Sequence, residues 1–362
     1  GKTGDVILNP SPNTLRKYRK LKEHLNKRLK QLSEEIGLPS ITSDGHSVKV
    51  LANVGSLSDL NQMQGSGAQG IGLFRSEFLF LRSSVFLTPE NEHFAAYKQA
   101  VSMMNGLPIV IRALDVGGDK TSSFYEKEKG LLAATTKGIR FLLRFEEVFK
   151  TQLRAILKAS AFGDISILLP LVSGIEELRA AKKIIEDVKK TLFKEGVKFS
   201  PKIPVGCMIE LPSAVITCDL LIQESDFISI GTNDLLQYSL GIDRNSQSLN
   251  HFHGPMHVSV IRMIKMVAQE AQRLGKAIAI CGEIASNPLY TPLFLGLGVF
   301  EFSCASRYVP LIKKMVRQCK LADVVLLAKK VLNAESTSRM SEILRDEVCK
   351  MLPKKVFEEL DF

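Results

Sequence analysis

Eight short apolar runs, each separated from the next by enough chain for a helix, constrain this sequence more than its composition does. They are VKVLANV (48–54), GIGLFR (70–75), IVIRALD (109–115), ISILLPLV (165–172), VGCMIEL (205–211), FISIGTND (227–234), AIAICGE (277–283) and VFEFSCA (299–305). Among the intervals, ELRAAKKIIEDVKKTLFKEG ends on Gly196 and SVIRMIKMVAQEAQRLGK passes Gly275, both usual helix stops. Strands that each follow a helix pair in parallel, and eight of them close most simply into an α/β fold, the (β/α)8 or TIM barrel. An open doubly wound sheet is the alternative.

Composition narrows the class. The 362 residues are 45% hydrophobic and 24% charged, as in an ordinary globular protein, and no apolar run approaches the ~20 residues of a membrane helix. Six cysteines without a CxxC pair predict reduced thiols and a cytoplasmic chain. The formal charge of +10 is local: residues 1–30 hold nine Lys or Arg against Asp5 and Glu23, a net of +7. That excess lies on LRKYRKLKEHLNKRLKQL, where Leu15, Tyr18, Leu21, Leu25, Leu29 and Leu32 recur at helical spacing and Asn13 or Thr14 is placed to cap. We read it as an amphipathic helix with a solvated basic face rather than as a nucleic-acid surface.

Barrel enzymes carry their reactive groups at the carboxyl ends of strands. In this sequence those ends are polar: Asn53, Arg75 and Glu77, Arg112 and Asp115, Glu210, Asn233 and Asp234, Cys281 and Glu283, and Ser303. In FISIGTNDLLQYSLGIDR the polar pair also fits a helix start, with Thr232, Asn233 or Asp234 as the cap of Leu235–Leu240. Glu210 and Asp234, on adjacent strands, offer oxygens to a hard cation such as Mg²⁺, which fills its shell with water and phosphate. Arg75, Arg112 and Arg244 suit a phosphate, because guanidinium forks match its oxygens and stay charged. Metal and arginines together point to phosphoryl chemistry. Cys281 is a buried apolar residue or, at a strand end, a proton donor to a carbon acid. GGDK (117–120) is a tight turn from which Lys120 could reach an anion.

GIGLFRSEFLF, FISIGTNDLLQYSLGIDR and CGEIA together resemble the phosphoenolpyruvate (PEP)-utilising enzyme family, in particular the carboxyl-terminal barrel of its Enzyme I type from the bacterial phosphotransferase system. The likeness runs over nearly the whole chain. It implies that residues 1–45 are a linker with a basic amphipathic helix leaving a phosphohistidine domain, and that 46–362 are the PEP-binding and dimerisation barrel. It further implies Mg²⁺ on Glu210 and Asp234, PEP held by Arg75, Arg112 and Arg244 with Asn233 and Asp234 lining the pocket, and Cys281 protonating the enolate at C3 as pyruvate forms. Partners implied are the protein's own phosphohistidine domain, a histidine-containing carrier protein and a second copy of the chain; no membrane is involved.

Two departures from the family pattern stand out. LLAATTKGIR puts Lys137 where a phosphate-binding arginine is usual, keeping only Arg140, and PMHVSV has Val258 where proline is usual. Lysine keeps the charge but not the fork, which predicts weaker binding or turnover. None of His24, His46, His93, His251, His253 or His257 has the Thr-Ser flank of the family's phosphoryl acceptor, so this chain is expected to bind substrate and metal without completing transfer. His251 and His253 are expected to line a loop rather than bind metal. The competing readings are a PEP-sensing regulatory module with weak catalysis and a fragment of another PEP-utilising enzyme, such as pyruvate phosphate dikinase.

Overall fold

The eight runs form eight strands: β1 (Lys49–Val54), β2 (Ile71–Arg75), β3 (Ile109–Arg112), β4 (Ile165–Leu169), β5 (Val205–Ile209), β6 (Phe227–Ile230), β7 (Ala277–Ile280) and β8 (Glu301–Ala305). They pair in chain order, always parallel, and β1 pairs with both β2 and β8. That double pairing closes the ring and removes the open-sheet alternative. The computed structural model describes residues 6–34, 36–82, 88–116, 137–242 and 256–352. Among these, no helix is long and apolar enough to cross a membrane.

The helices form as their periodicity predicts. Helix Ile175–Lys194 buries Leu178, Ala181, Ile185, Val188 and Leu192, spaced three and four apart on one face. Each such leucine or isoleucine removed from water contributes roughly 1.5–3 kcal/mol. The helix stops where Gly196 turns to φ 70°, a conformation that costs a side-chain-bearing residue. This outer layer, packed against the outward faces of the strands, is the main core. A smaller cluster of Leu73, Leu168, Met208 and Cys281 fills the barrel interior.

Three sequence expectations need correction. Several runs extend past their strands: β3 ends at Arg112, β5 at Ile209, β6 at Ile230 and β7 at Ile280, so Asp115, Glu210, Asp234 and Cys281 lie where the chain has left the ladder. Apolarity persists there because the turns stay buried, not because they are extended. The helix after β6, Thr232–Leu240, is capped by none of Thr232, Asn233 or Asp234; Gly231 is its N-cap and makes no side-chain cap. The basic helix, Pro12–Glu34, begins before Asn13, with Pro12 in its first turn and the Ser11 hydroxyl accepting from Thr14 N at 3.2 Å. Its Leu15, Tyr18 and Leu21 remain exposed.

Residues 36–48 are tied to the barrel at several points. Lys313, buried, donates to the carbonyls of Ile36 (2.7 Å) and Gly67 (3.2 Å). Ser43 N donates to Cys319 O at 2.9 Å, and Asp44 accepts from Leu321 N at 2.8 Å. The Thr42 hydroxyl, which donates to Asp44 Oδ1 at 2.7 Å, followed by the Leu321 amide and His46, holds the Asp44 carboxyl down at about 2 against the effect of burial.

Candidate active site at the carboxyl mouth of the barrel

Arg112 is the last residue of β3 and its side chain points into the mouth, only 9% exposed. Its Nη2 donates to Glu77 Oε1 and its Nη1 pairs with Asp115 Oδ2, both at 3.0 Å, while Nε is buried without a partner. Burial opposes the charge, but Glu77, Asp115 and Glu210 outweigh it and raise the guanidinium above its ordinary pKa. Arg75, half-buried at the end of β2, is the direct register partner of Arg112, so two guanidinium groups stand on neighbouring strands at one level.

Glu210 follows β5 and is 1% exposed. Its Oε1 accepts from Leu171 N at 2.8 Å. Burial, then the charges of Asp115 and Asp234, push its carboxyl well above the usual range, against the opposing pull of Arg112 and the Leu171 amide. Space for this carboxylate comes from Gly231, where an added Cβ would lie 2.4 Å from Glu210 Oε2. The donor amide comes from a backbone in an uncommon state, since Leu171 has φ 51°.

Asp234 sits in the first turn of helix Thr232–Leu240, half-buried. Beside it, Asn233 is engaged with the turn after β7: its Oδ1 accepts from Glu283 N at 3.0 Å, and its Nδ2 faces Glu283 Oε1 at 3.4 Å. Cys281, immediately past β7, is buried, with Sγ 3.3 Å from Ile230 O. Burial pushes its thiol up to about 11, against the neighbouring Ser229 hydroxyl; Glu210 adds to the rise, while Arg112 and Arg75 oppose it. Asn53 bridges the interior, donating to Cys281 O (3.3 Å) and accepting from Ser303 Oγ (2.5 Å).

Thus Arg75, Arg112, Glu210, Asp234 and Cys281 belong to one electrostatic neighbourhood. Lys137, half-buried, precedes Gly138 and Ile139, whose amides donate to Val116 O and Pro170 O, each at 3.2 Å, next to β3 and β4. Arg140 instead donates to Glu177 at 2.7 Å. Arg244, Lys120, His251 and His253 lie outside the described residues. His257 caps helix Val258–Arg273, its Nδ1 accepting from Ser259 N at 3.2 Å.

Sequence reasoning placed Glu77 and Asp115 at strand ends without giving them work; they are the partners of Arg112. It missed the Leu171 amide, for which the sequence carries no signal. It also missed Gln152, although a glutamine on the buried face of an amphipathic helix was legible there.

The donor chemistry suits a hard cation. Among the described residues no group of three or more His, Cys, Asp or Glu forms a closed metal cage. Buried Glu210, raised by the charges of two neighbouring carboxylates, is a place where a divalent ion relieves repulsion, and Mg²⁺ accepts few protein ligands.

Residues 29–321 match the family model described as the PEP-utilising enzyme, PEP-binding domain. The chain belongs to the PEP-utilising enzyme family. It is similar to the phosphoenolpyruvate-protein phosphotransferase of Haemophilus influenzae, 39% identical over 342 residues, covering 94% of this chain and 59% of that protein. Proteins of the same name from Buchnera aphidicola (38% over 342 residues; 94% of this chain, 60% of the relative) and Priestia megaterium (34% over 346; 95% and 60%) are also similar. The chain therefore spans about 60% of the length of these relatives.

Proposed function

We propose that this chain is the PEP- and Mg²⁺-binding domain of an Enzyme I-type phosphotransferase, which passes the PEP phosphoryl group to a histidine on a domain outside these 362 residues and releases pyruvate. The observation that carries the reading is the convergence of Arg75 and Arg112 beside Glu210 and Asp234 at the mouth of a family PEP-binding barrel.

Arg112, with its bare Nε, and Arg75 hold phosphate oxygens and spread the charge of the leaving phosphoryl group, joined by Lys137 and Arg244. To do so Arg112 shifts part of its fork from Glu77 and Asp115 to the substrate. Glu210 and Asp234 would hold Mg²⁺, which when bound supplies positive charge to the phosphoryl oxygens. Asn233 fixes the helix that carries Asp234. As the P–O bond of PEP breaks, its electrons pass to the enolate oxygen; C3 then takes the Cys281 proton and the thiolate recovers one from water. Thiol burial keeps that proton in place at neutral pH, as an acid requires.

Partners follow by the same reading: the phosphohistidine domain, the histidine-containing carrier protein, and a second copy of the chain, in the cytoplasm. Calorimetric titration of PEP, with and without Mg²⁺, tests it. Binding that requires Mg²⁺ and vanishes in Arg112→Ala and Asp234→Ala supports the reading, whereas no heat from the unsubstituted chain defeats it. Lys137 in place of an arginine favours a second reading, a PEP sensor with weak chemistry. Labelled PEP, supplied with the phosphohistidine domain in trans, separates the two: label on that domain supports the enzyme, tight binding without label the sensor.

A further inference from the structure

Behind the mouth, a fully buried amide ties the strand end that carries Arg112 to the helices outside the barrel. Gln152, 0% exposed in helix Glu146–Ala159, accepts from Leu114 N through Oε1 at 2.9 Å. Its Nε2 faces Ser76 Oγ (2.9 Å), Tyr97 OH (3.1 Å) and Arg112 O (3.4 Å). Ser76 Oγ also donates to Arg112 O at 3.1 Å, and Tyr97 OH meets His93 Nδ1 at 3.1 Å. The Leu114 N–H fixes which end of the amide is oxygen, since a flipped amide would set donor against donor. One side chain therefore grips the backbone on both sides of residue 113 and, through Ser76, the residue that follows Arg75.

We infer that Gln152 is a positioning residue for phosphate recognition, acting through Arg112: its hydrogen bonds fix the end of β3 at the angle that aims the guanidinium into the mouth. Arg112 stays in register with Arg75 and Leu168, and Ala113 N still donates to Leu168 O at 2.8 Å, but the Arg112 carbonyl and the Leu114 amide, where the chain turns out of the sheet, are held by Gln152 and Ser76. Side-chain cost alone does not account for a glutamine here, because a polar amide buried among Val148, Phe149, Leu153 and Ile156 loses hydration that leucine would not. This inference rests on the PEP-binding reading only for its choice of ligand.

The test compares Gln152→Met and the milder Ser76→Ala with Leu344→Ala, a buried change in the distant carboxyl-terminal helix, at a temperature where all are folded. The first readout is the Kd for PEP with Mg²⁺; the second, free of ligand, is hydrogen exchange of the Arg112 Nε–H by NMR. Misplacing a substrate-holding group by the order of an ångström is expected to raise Kd about tenfold in Gln152→Met and less in Ser76→Ala, with Leu344→Ala within about twofold. Arg112 exchange accelerates in the first two variants only. On an Arg112→Lys background, Gln152→Met adds little, because its effect passes through that guanidinium. Wild-type affinity in Gln152→Met and Ser76→Ala, full additivity with Arg112→Lys, or Arg112 exchange equal to wild type each overturns the inference. Should Gln152→Met not fold, Ser76→Ala carries the same comparison. If the unsubstituted chain binds no PEP, the PEP reading fails while Arg112 exchange still decides the positioning claim.

Discussion

The bare Cα of Gly231 and the left-handed amide of Leu171 together set where the Glu210 carboxylate stands, one by leaving room and the other by donating to it. Gly231→Ala brings a methyl to 2.4 Å from that carboxylate, so Mg²⁺-dependent PEP binding should be lost in calorimetry although the helices persist by circular dichroism. Lys137→Arg replaces a point charge by a fork; PEP affinity or turnover should rise about tenfold, and no improvement in either would remove the idea that Lys137 weakens the site. Cys281→Ala should bind PEP normally yet fail to exchange the C3 protons of pyruvate with deuterated water. Val258, where the family pattern has proline, keeps an N–H that faces Thr337 Oγ1 at 3.4 Å, a contact proline could not make. Glu210 and Cys281 were readable as strand-end residues, and Lys137 and Val258 as departures from the family pattern; the parts played by Gly231 and Leu171, and what each residue touches, were not.

Elements translate those positions into a geometry. Each strand delivers its last residue to the same mouth because all eight run the same way around a closed ring, and the crossover helices then brace the ends. Helix Glu90–Met104 illustrates the bracing: His93 and Tyr97 lie on its buried face and join the Gln152 network. Burial lowers the His93 pKa from 6.5 to about 4. An unfolded chain takes up that proton as pH falls through 6.5, whereas the folded chain resists until about 4, so the stability present above 6.5 declines across that interval. The loss approaches about 3 kcal/mol from this group, at 1.36 kcal/mol per pKa unit. Urea unfolding at pH 7 and pH 4.5 should show a steeper decline for the unsubstituted chain than for His93→Gln; equal declines would contradict the assignment. Helix existence was legible from periodicity, but starts were not: Ser11 precedes the first turn in place of Asn13 or Thr14, and Gly231 in place of Thr232, Asn233 or Asp234.

At the scale of the whole molecule, apolar side chains gather on helices beside β5 and β6: Ile216 is 72% exposed, and Leu220 and Met266 are each 45% exposed, on helices Pro212–Ile216, Cys218–Glu224 and Val258–Arg273. If the proposed second copy docks on this face, Ile216→Asp should lower the sedimentation coefficient to that of a folded monomer; an unchanged sedimentation coefficient would rule out this face as the interface. The order of eight apolar runs determined parallel strands alternating with helices, since each interval could hold a helix; closure into a ring rather than an open sheet was decided by the pairing of β1 with β8. Sequence order also determined that charged and amide residues would crowd one rim, because chain direction is common to every strand. Tertiary structure alone decided which of them meet: that Asp115 and Glu77 claim Arg112, that Asp115 and Asp234 press on Glu210, and that Gln152 reaches the backbone of β3. Apart from the Arg112–Asp115 pair, three positions apart, those contacts join residues tens of positions apart, and their distances depend on strand stagger and helix packing, quantities that no local pattern in a chain encodes.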